Sequence, residues 1–131
     1  MIKFFSNYKI VFYSINFSLI FLYVFPGSLI GLVVYGSKKI QPQITPDFII
    51  SSNHFYVFIL VSIIGFFTFI KLNQIKFLTI YLISLSIILE FSHLIIPMRS
   101  FQWSDLFGNL LGVIVVILFK NLINKYGVFK K

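Results

Sequence analysis

Four long apolar runs separated by short polar stretches organise this chain: Ile10 to about Tyr35, Pro46 to about Ile70, Phe77 to Ile96, and Ser104 to Phe119. Each is long for a strand and suited to a helix that crosses or nearly crosses a bilayer, because about 20 residues at about 1.5 Å each match a hydrocarbon thickness of about 30 Å. The first run is interrupted by Pro26-Gly27, which predicts one kinked helix in preference to a helix followed by a re-entrant turn. Thr45-Pro46-Asp47 offers a capping hydroxyl, a first-turn proline and an early carboxylate, and predicts a helix over about 46–70. A Lys71 to Lys76 loop precedes the third helix, about 77–96, which Pro97 is expected to stop. Ser104-Asp105 predicts the start of the fourth, about 104–119. The expectation is an all-α, single-domain protein over residues 1–131: an integral membrane four-helix bundle.

Composition agrees. Hydrophobic residues make up 59% of the chain and charged residues 11%, against about a quarter charged in ordinary soluble domains. A core this greasy must share its surface with lipid. The segment behind Lys3 and Lys9 resembles a signal peptide, but no small-residue cleavage site follows, so it is expected to stay attached. There is no Cys, which excludes disulfides, thiolate metal sites and a cysteine nucleophile.

The net charge of +8 raises nucleic acid as a partner, yet the basic residues stand singly or in pairs at the ends of apolar runs and form no stripe. Topology accounts for them, and no nucleic acid is expected. With four spans, Lys3, Lys9, Lys71, Lys76, Lys120, Lys125, Lys130 and Lys131 fall on one side, and Lys38, Lys39 and Arg99 on the other. That bias places both termini in the cytoplasm. The three acids, Asp47, Glu90 and Asp105, then lie toward the external face.

Helical spacing lines up Asp47, Ser51 and His54 on the second helix, Glu90 and His93 on the third, and Asp105, Asn109 and Gly112 on the fourth. Gly108 and Gly112 form a G-x-x-x-G pair that lets another backbone approach. Taken singly, each has a plain explanation: Asp105 caps a helix, Arg99 snorkels to headgroups, the histidines and glycines pack. Glu90 is harder to dismiss, since an ionised acid inside a span costs on the order of 3 kcal/mol. Its expected depth is about 9 Å inside the outer end of the third run, and Arg99, folding back after Pro97, is its expected partner, with His93 and His54 as further neighbours.

Two chemistries bear on this cluster. Glu90-x-x-His93 has the spacing that di-iron bundles use in pairs, with His54 and Asp105 to complete a site, but only one copy occurs, and no metal or cofactor is assigned. Hydrolysis or group transfer on a lipid-linked substrate would use a histidine as base and Arg99 on a phosphate. No nucleophile elbow, H-E-x-x-H pair or phosphate loop accompanies them. The chain is therefore read as leaning away from an enzyme, and its catalytic residues are unknown.

The run ILEFSHLIIPMRSFQWSDLFGNLLG, with Glu90, His93, Pro97, Arg99, Asp105, Asn109 and Gly112 in register, resembles the signature of the VanZ-like family of small bacterial multi-pass membrane proteins. His54-Phe55 resembles that family's His-Phe, so the likeness covers about residues 45–119. Two positions depart from the pattern: His93 stands where the family commonly has Gln, and Ile50-Ser51 where it usually has Asp-Lys, with Asp47 one turn earlier as the available acid. The resemblance implies a protein of the bacterial cytoplasmic membrane. The family is named for a member associated with low-level teicoplanin resistance, a property that is not transferred to this chain.

Together these readings predict an outward-facing polar pocket built from His54, Glu90, His93, Arg99, Asp105 and Asn109, with Asp47 and Ser51 secondary. It would bind an envelope lipid headgroup or a cell-wall precursor at the outer leaflet, with the lipid bilayer as the other partner. The alternatives are a structural or assembly subunit, whose ion pairs and Gly108/Gly112 face lock helices or dock a protein, and a membrane-embedded hydrolase or transferase.

Overall fold

The computed structural model describes residues 2–127 and, from residue 8 onward, their side chains. Lys3, Lys130 and Lys131 of the charge count therefore lie outside the described side chains. The described residues form five helices and no strand: α1 Ile2–Val24, α2 Leu29–Tyr35, α3 Ser52–Thr68, α4 Leu72–Ser92 and α5 Trp103–Tyr126. Helices α4 and α5 are long and apolar enough to cross a membrane, and the broken pair Tyr8–Val24 with Leu29–Tyr35 makes a third if it counts as one span. Helix α3, with 17 residues, reaches about 25 Å, at the short end of what spans a bilayer.

Most of the large apolar side chains outside the core are bare. Phe67 and Phe77 are 72% and 75% exposed, an arrangement that water would oppose and hydrocarbon tolerates. The core itself is a set of helical stripes. Phe12, Leu19 and Tyr23 come from α1, Phe58 and Val61 from α3, Leu78, Leu82, Leu85 and Leu89 from α4, and Leu106, Val113 and Val116 from α5. Their three- and four-residue steps place each set on one face of its helix.

The closest helix pair is α3 with α5, and two glycines of α5 make it so. A Cβ at Gly108 would meet the Ser51 carbonyl at 2.8 Å, and one at Gly112 would meet the Phe55 carbonyl at 2.7 Å. Backbone against backbone leaves no room for a methyl group. Gly65 of α3 differs, because its neighbours are the flexible ends of Leu78 and Phe12 at 3.0 Å.

Several helix boundaries depart from the sequence expectation. The first run is not a kinked helix: α1 ends at Val24, and α2 leaves at 83° to it. Pro26 removes a backbone donor and Gly27 takes a positive φ of 79°, so the chain turns fully instead of bending. The second helix starts at Ser52, six residues after Pro46. Thr45 to Ser51 stay in the loop, and the Asp47 carboxylate instead accepts the Ser52 N–H at 2.9 Å, capping the helix from outside it. Asp47 and Ser51 are thus not in helical register with His54. Helix α4 ends at Ser92, before Pro97; tighter turns carry the chain on, with the His93, Leu94 and Ile95 N–H groups donating three residues back. Helix α5 starts at Trp103, after Gln102 and not at Ser104, and runs to Tyr126, seven residues beyond the expected Phe119.

Candidate functional site

Four helix ends meet at one place. Tyr23 and Glu90 lie in the last turns of α1 and α4, His54 and Asp105 in the first turns of α3 and α5, with Asn109 one turn further along α5. Glu90 therefore lies in the last turn of α4, which ends at Ser92, and not about 9 Å inside the helix end, as a run to Ile96 implied. It is fully buried all the same, covered by protein from neighbouring elements.

The break at Pro26 explains two of the polar side chains. In a continuous helix the Leu22 carbonyl would accept from residue 26, but proline has no N–H. Arg99 supplies the missing donor, Nη2 to Leu22 O at 2.8 Å, and its Nε donates to Phe25 O at 3.2 Å. The Tyr23 carbonyl, whose helical partner would be Gly27, lies 3.1 Å from His93 Nε2. A carbonyl only accepts, so that nitrogen carries the proton and the His93 tautomer follows. A guanidinium and an imidazole N–H thus cap the negative end of α1. Burial lowers the pKa of the half-buried Arg99, while Tyr23, Glu90 and Asp105 work in the opposite direction.

This use of Arg99 corrects the expected Glu90–Arg99 ion pair. The guanidinium is turned to α1, and Glu90 Oε1 instead accepts the N–H of Gln102, the residue that caps α5, at 3.0 Å. Its other oxygen, Oε2, is buried without a hydrogen-bond partner. His93 Nδ1 stands 3.3 Å from that oxygen and His54 Nδ1 3.9 Å.

A second network holds His54. The Asn109 amide donates through Nδ2 to Ser86 O at 3.1 Å, which turns its Oδ1 toward Tyr23 and His54. The Tyr23 hydroxyl donates to that oxygen at 2.7 Å. His54 Nδ1 lies 2.9 Å from the Tyr23 hydroxyl and 3.1 Å from Asn109 Oδ1. With the hydroxyl proton already given to Asn109, both are acceptors toward the ring, so Nδ1 is the donor. Nε2 then faces Asp105 Oδ2 at 3.6 Å. The acids beside His54 are Asp105 and Glu90, while Asp47 is committed to the start of α3 and to Gln43.

Two adjoining cavities open onto this cluster. One, of about 520 Å³, is lined by Lys38, Lys39, Arg99, Asp47, Asp105, Ser51, His54 and His93 among others. Its neighbour, of about 380 Å³, has Ile15, Leu19, Leu22, Ile30, Val57 and Leu60 in its walls. Ser28, Asn53, His54, His93 and Arg99 belong to both. The 37–51 loop forms a wall because both ends of the Asn53 amide grip its middle, Nδ2 donating to Pro42 O at 2.6 Å and Oδ1 accepting from Ile44 N at 2.9 Å.

Of the sequence candidates, His54, Glu90, His93, Asp105 and Asn109 converge, Arg99 lies beside them at the α1 break, and Asp47 and Ser51 line the polar cavity from the loop. Gly108 and Gly112 sit against α3. Sequence reasoning missed Tyr23, which joins both histidines through its hydroxyl, its carbonyl and its ring, the last stacked on His93 at 5.7 Å between centroids. Its position three residues before a proline, on the face shared with Leu19 and Phe12, was the available signal. Compared with family models, curated proteins and solved structures, the chain matches none.

Proposed function

We propose that this chain is a VanZ-like multi-pass membrane protein that binds an amphiphile at the outer leaflet, an envelope lipid or a lipid-linked cell-wall precursor. Its polar group sits in the cavity of Lys38, Lys39 and Arg99, and its hydrocarbon part lies in the adjoining apolar one. The observation that carries this reading is the pairing itself: a polar cavity with Lys38, Lys39 and Arg99 as well as Asp47 and Asp105 in its walls, and a greasy one, share His54, His93 and Arg99. Pockets of a few hundred Å³ suit small amphiphilic ligands. Arg99 uses two of a guanidinium's five N–H donors on α1, which leaves others for an anion.

The topology belongs to the same proposal. Four spans, α1, α3, α4 and α5, with α2 turned aside after the break at Pro26, put both termini in the cytoplasm of a bacterium and the cluster at the outer face of its inner membrane. Trp103, 63% exposed and packed with Phe101 and Phe107, suits an interfacial aromatic belt at that level. The chain has no native cysteine, so single cysteines at Trp103 and Lys125 report sidedness directly with an impermeant thiol reagent on intact cells. Labelling is expected at 103 only, and labelling at 125 alone reverses the orientation.

For binding, the full chain is purified in mild detergent and its retained lipids are identified by native mass spectrometry. An anionic amphiphile should stay bound, Val57→Trp should displace it by filling the apolar cavity, and Lys38→Ala with Lys39→Ala should remove the preference for anionic headgroups. Retention that neither change alters defeats the proposal.

One observation favours an architectural reading for part of the cluster. His93 and Arg99 complete the end of α1, so loss of protein on changing either one reports assembly and not ligand binding. The cavity lysines separate the two roles.

A further inference from the structure

The geometry points to a divalent transition-metal site formed by His54, Glu90 and Asp105 on the floor of the polar cavity. The three residues each offer a ligand atom within 4.8 Å of the other two. Three helix ends therefore deliver an imidazole and two carboxylates to one point, a mixed nitrogen and oxygen set suited to Zn²⁺, Co²⁺ or Mn²⁺.

The independent sign is the Glu90 side chain. It is wholly buried, and Oε2 makes no hydrogen bond. A buried carboxylate oxygen without a partner is costly enough to require something positive beside it. Neither neighbouring histidine provides it in a neutral state, because each has its proton elsewhere. His93 donates through Nε2 to the Tyr23 carbonyl, so its Nδ1, 3.3 Å from Glu90 Oε2, presents a lone pair. His54 donates through Nδ1 toward Tyr23 and Asn109, so its Nε2, 3.6 Å from Asp105 Oδ2, presents another. Lone pairs thus face carboxylate oxygens with no hydrogen between them. One divalent ion held by His54 Nε2 and the two carboxylates supplies positive charge to Glu90 Oε2 and Asp105 together, whereas a single proton neutralises only one of them.

The surroundings also have the form that metal sites take. A ligating histidine usually donates its other ring N–H to an oxygen that fixes its orientation. His54 Nδ1 does so toward Asn109 Oδ1, itself held by the amide bond to Ser86. A tetrahedral ion with bonds of about 2.1 Å sets its ligands about 3.4 Å apart. The His54–Asp105 separation of 3.6 Å is already close to this. Three protein ligands leave one position open, and His54 and Asp105 both line the cavity into which it would face.

This inference does not depend on lipid binding. The test uses the full chain in detergent, freed of any histidine tag and stripped with a chelator, then titrated at pH 7.5 with Co²⁺ followed by visible absorption, and with Zn²⁺ in competition. One Co²⁺ per chain should bind with ligand-field bands that Zn²⁺ abolishes. His54→Gln and Asp105→Asn should each weaken binding at least tenfold, as should Glu90→Gln, and Tyr23→Phe should weaken it about tenfold by loosening His54. Lys76→Ala, at an exposed position of α4 far from the cavity, should bind as the parent does. If Glu90→Gln does not fold, the more exposed Asp105→Asn decides alone, with an unchanged helical circular dichroism spectrum as the control. Absence of saturable binding in the folded protein at millimolar Co²⁺ overturns the site. So does binding that Asp105→Asn leaves intact, and so does an imidazolium NMR signal from His54 or His93 at pH 7.5 that Zn²⁺ does not change.

Discussion

The two ends of the helices are closed by different means. Where α3 ends and α4 begins, closure is mostly local and apolar: the Phe69 N–H bonds back to Gly65 O, Thr68 Oγ1 donates to Ile64 O at 2.7 Å with Tyr8 O of α1 a longer second acceptor at 3.3 Å, and Phe12 packs edge-on against Phe69 at 5.2 Å. At the other end, polar groups are closed by distant elements. Glu90 of α4 takes the N–H that precedes α5, His93 and Arg99 from beyond α4 take the carbonyls of α1, and Asn109 of α5 takes Ser86 O of α4. Hydrophobic transfer does little to hold helices together in lipid, which leaves packing and hydrogen bonds to do it. The polar end should therefore be brittle and the apolar end forgiving, and substitutions at matched positions can break that contrast.

The largest effect is expected at Arg99. Arg99→Ala leaves the Leu22 and Phe25 carbonyls without their donor, and two lost bonds from a charged group should cost about 3 kcal/mol. Arg99→Lys should recover less than half, because an ammonium does not reproduce a planar fork spanning two carbonyls. At the apolar end, Thr68→Val removes a hydroxyl bonded mainly within its own helix, and should cost no more than about 1 kcal/mol. Unfolding midpoints in detergent with increasing sodium dodecyl sulfate measure all three. Equal losses for Arg99→Ala and Thr68→Val would remove the distinction between the ends.

Glycines give the next largest contrast. Gly112→Ala drives a methyl group to 2.7 Å from the Phe55 carbonyl, and overpacking against backbone should cost about 2 kcal/mol even after the gain of about 1 kcal/mol in helix propensity. Gly65→Ala meets only the mobile tips of Leu78 and Phe12 at 3.0 Å, so propensity and crowding should cancel to within about 0.5 kcal/mol. The same unfolding assay checks both, and a Gly65→Ala loss as large as that of Gly112→Ala contradicts the account of which helices touch through backbone.

The all-helical class follows from run length alone, but the limits at the apolar end do not: the expected Lys71–Lys76 loop lies in the first turns of α4, which starts at Leu72, and α5 runs past Phe119 to Tyr126, because lysines at the edge of a span are compatible with helix. At the polar end, spacing gathered His54, Glu90, His93, Asp105 and Asn109 but paired them wrongly. Arg99 is the nearest cation to Glu90 along the chain, yet the guanidinium is claimed by carbonyls that Pro26 strands more than seventy residues earlier. No local pattern announces an orphan carbonyl, because the need arises only once the helix has stopped. Likewise Thr45-Pro46-Asp47 reads as a helix start, whereas Asp47 caps α3 from a loop whose path is set by Asn53. Helix limits misread in this way shift the inferred depth of every residue measured from them, as the end of the third run did for Glu90.

The finest contrast compares two polar pairs that both join α1 to another helix. Tyr23 and Asn109 are buried and linked at 2.7 Å, and each also touches His54. Asn16 and Tyr81 are hydrogen-bonded at an exposed site beside Phe77 and Phe69. A double-mutant cycle isolates each pairwise term. For Tyr23→Phe with Asn109→Ala the coupling should be about 1 kcal/mol, because truncating either partner leaves the other unsatisfied in a buried network. For Asn16→Ala with Tyr81→Phe it should be smaller, about 0.6 kcal/mol, the usual worth of an interhelical hydrogen bond at a lipid-facing position. The sign of the first term carries the most information. A positive coupling means that tyrosine and asparagine hold His54 as a unit, whereas additivity would mean that the imidazole is positioned by its carboxylate neighbours, Glu90 and Asp105, without help from α1.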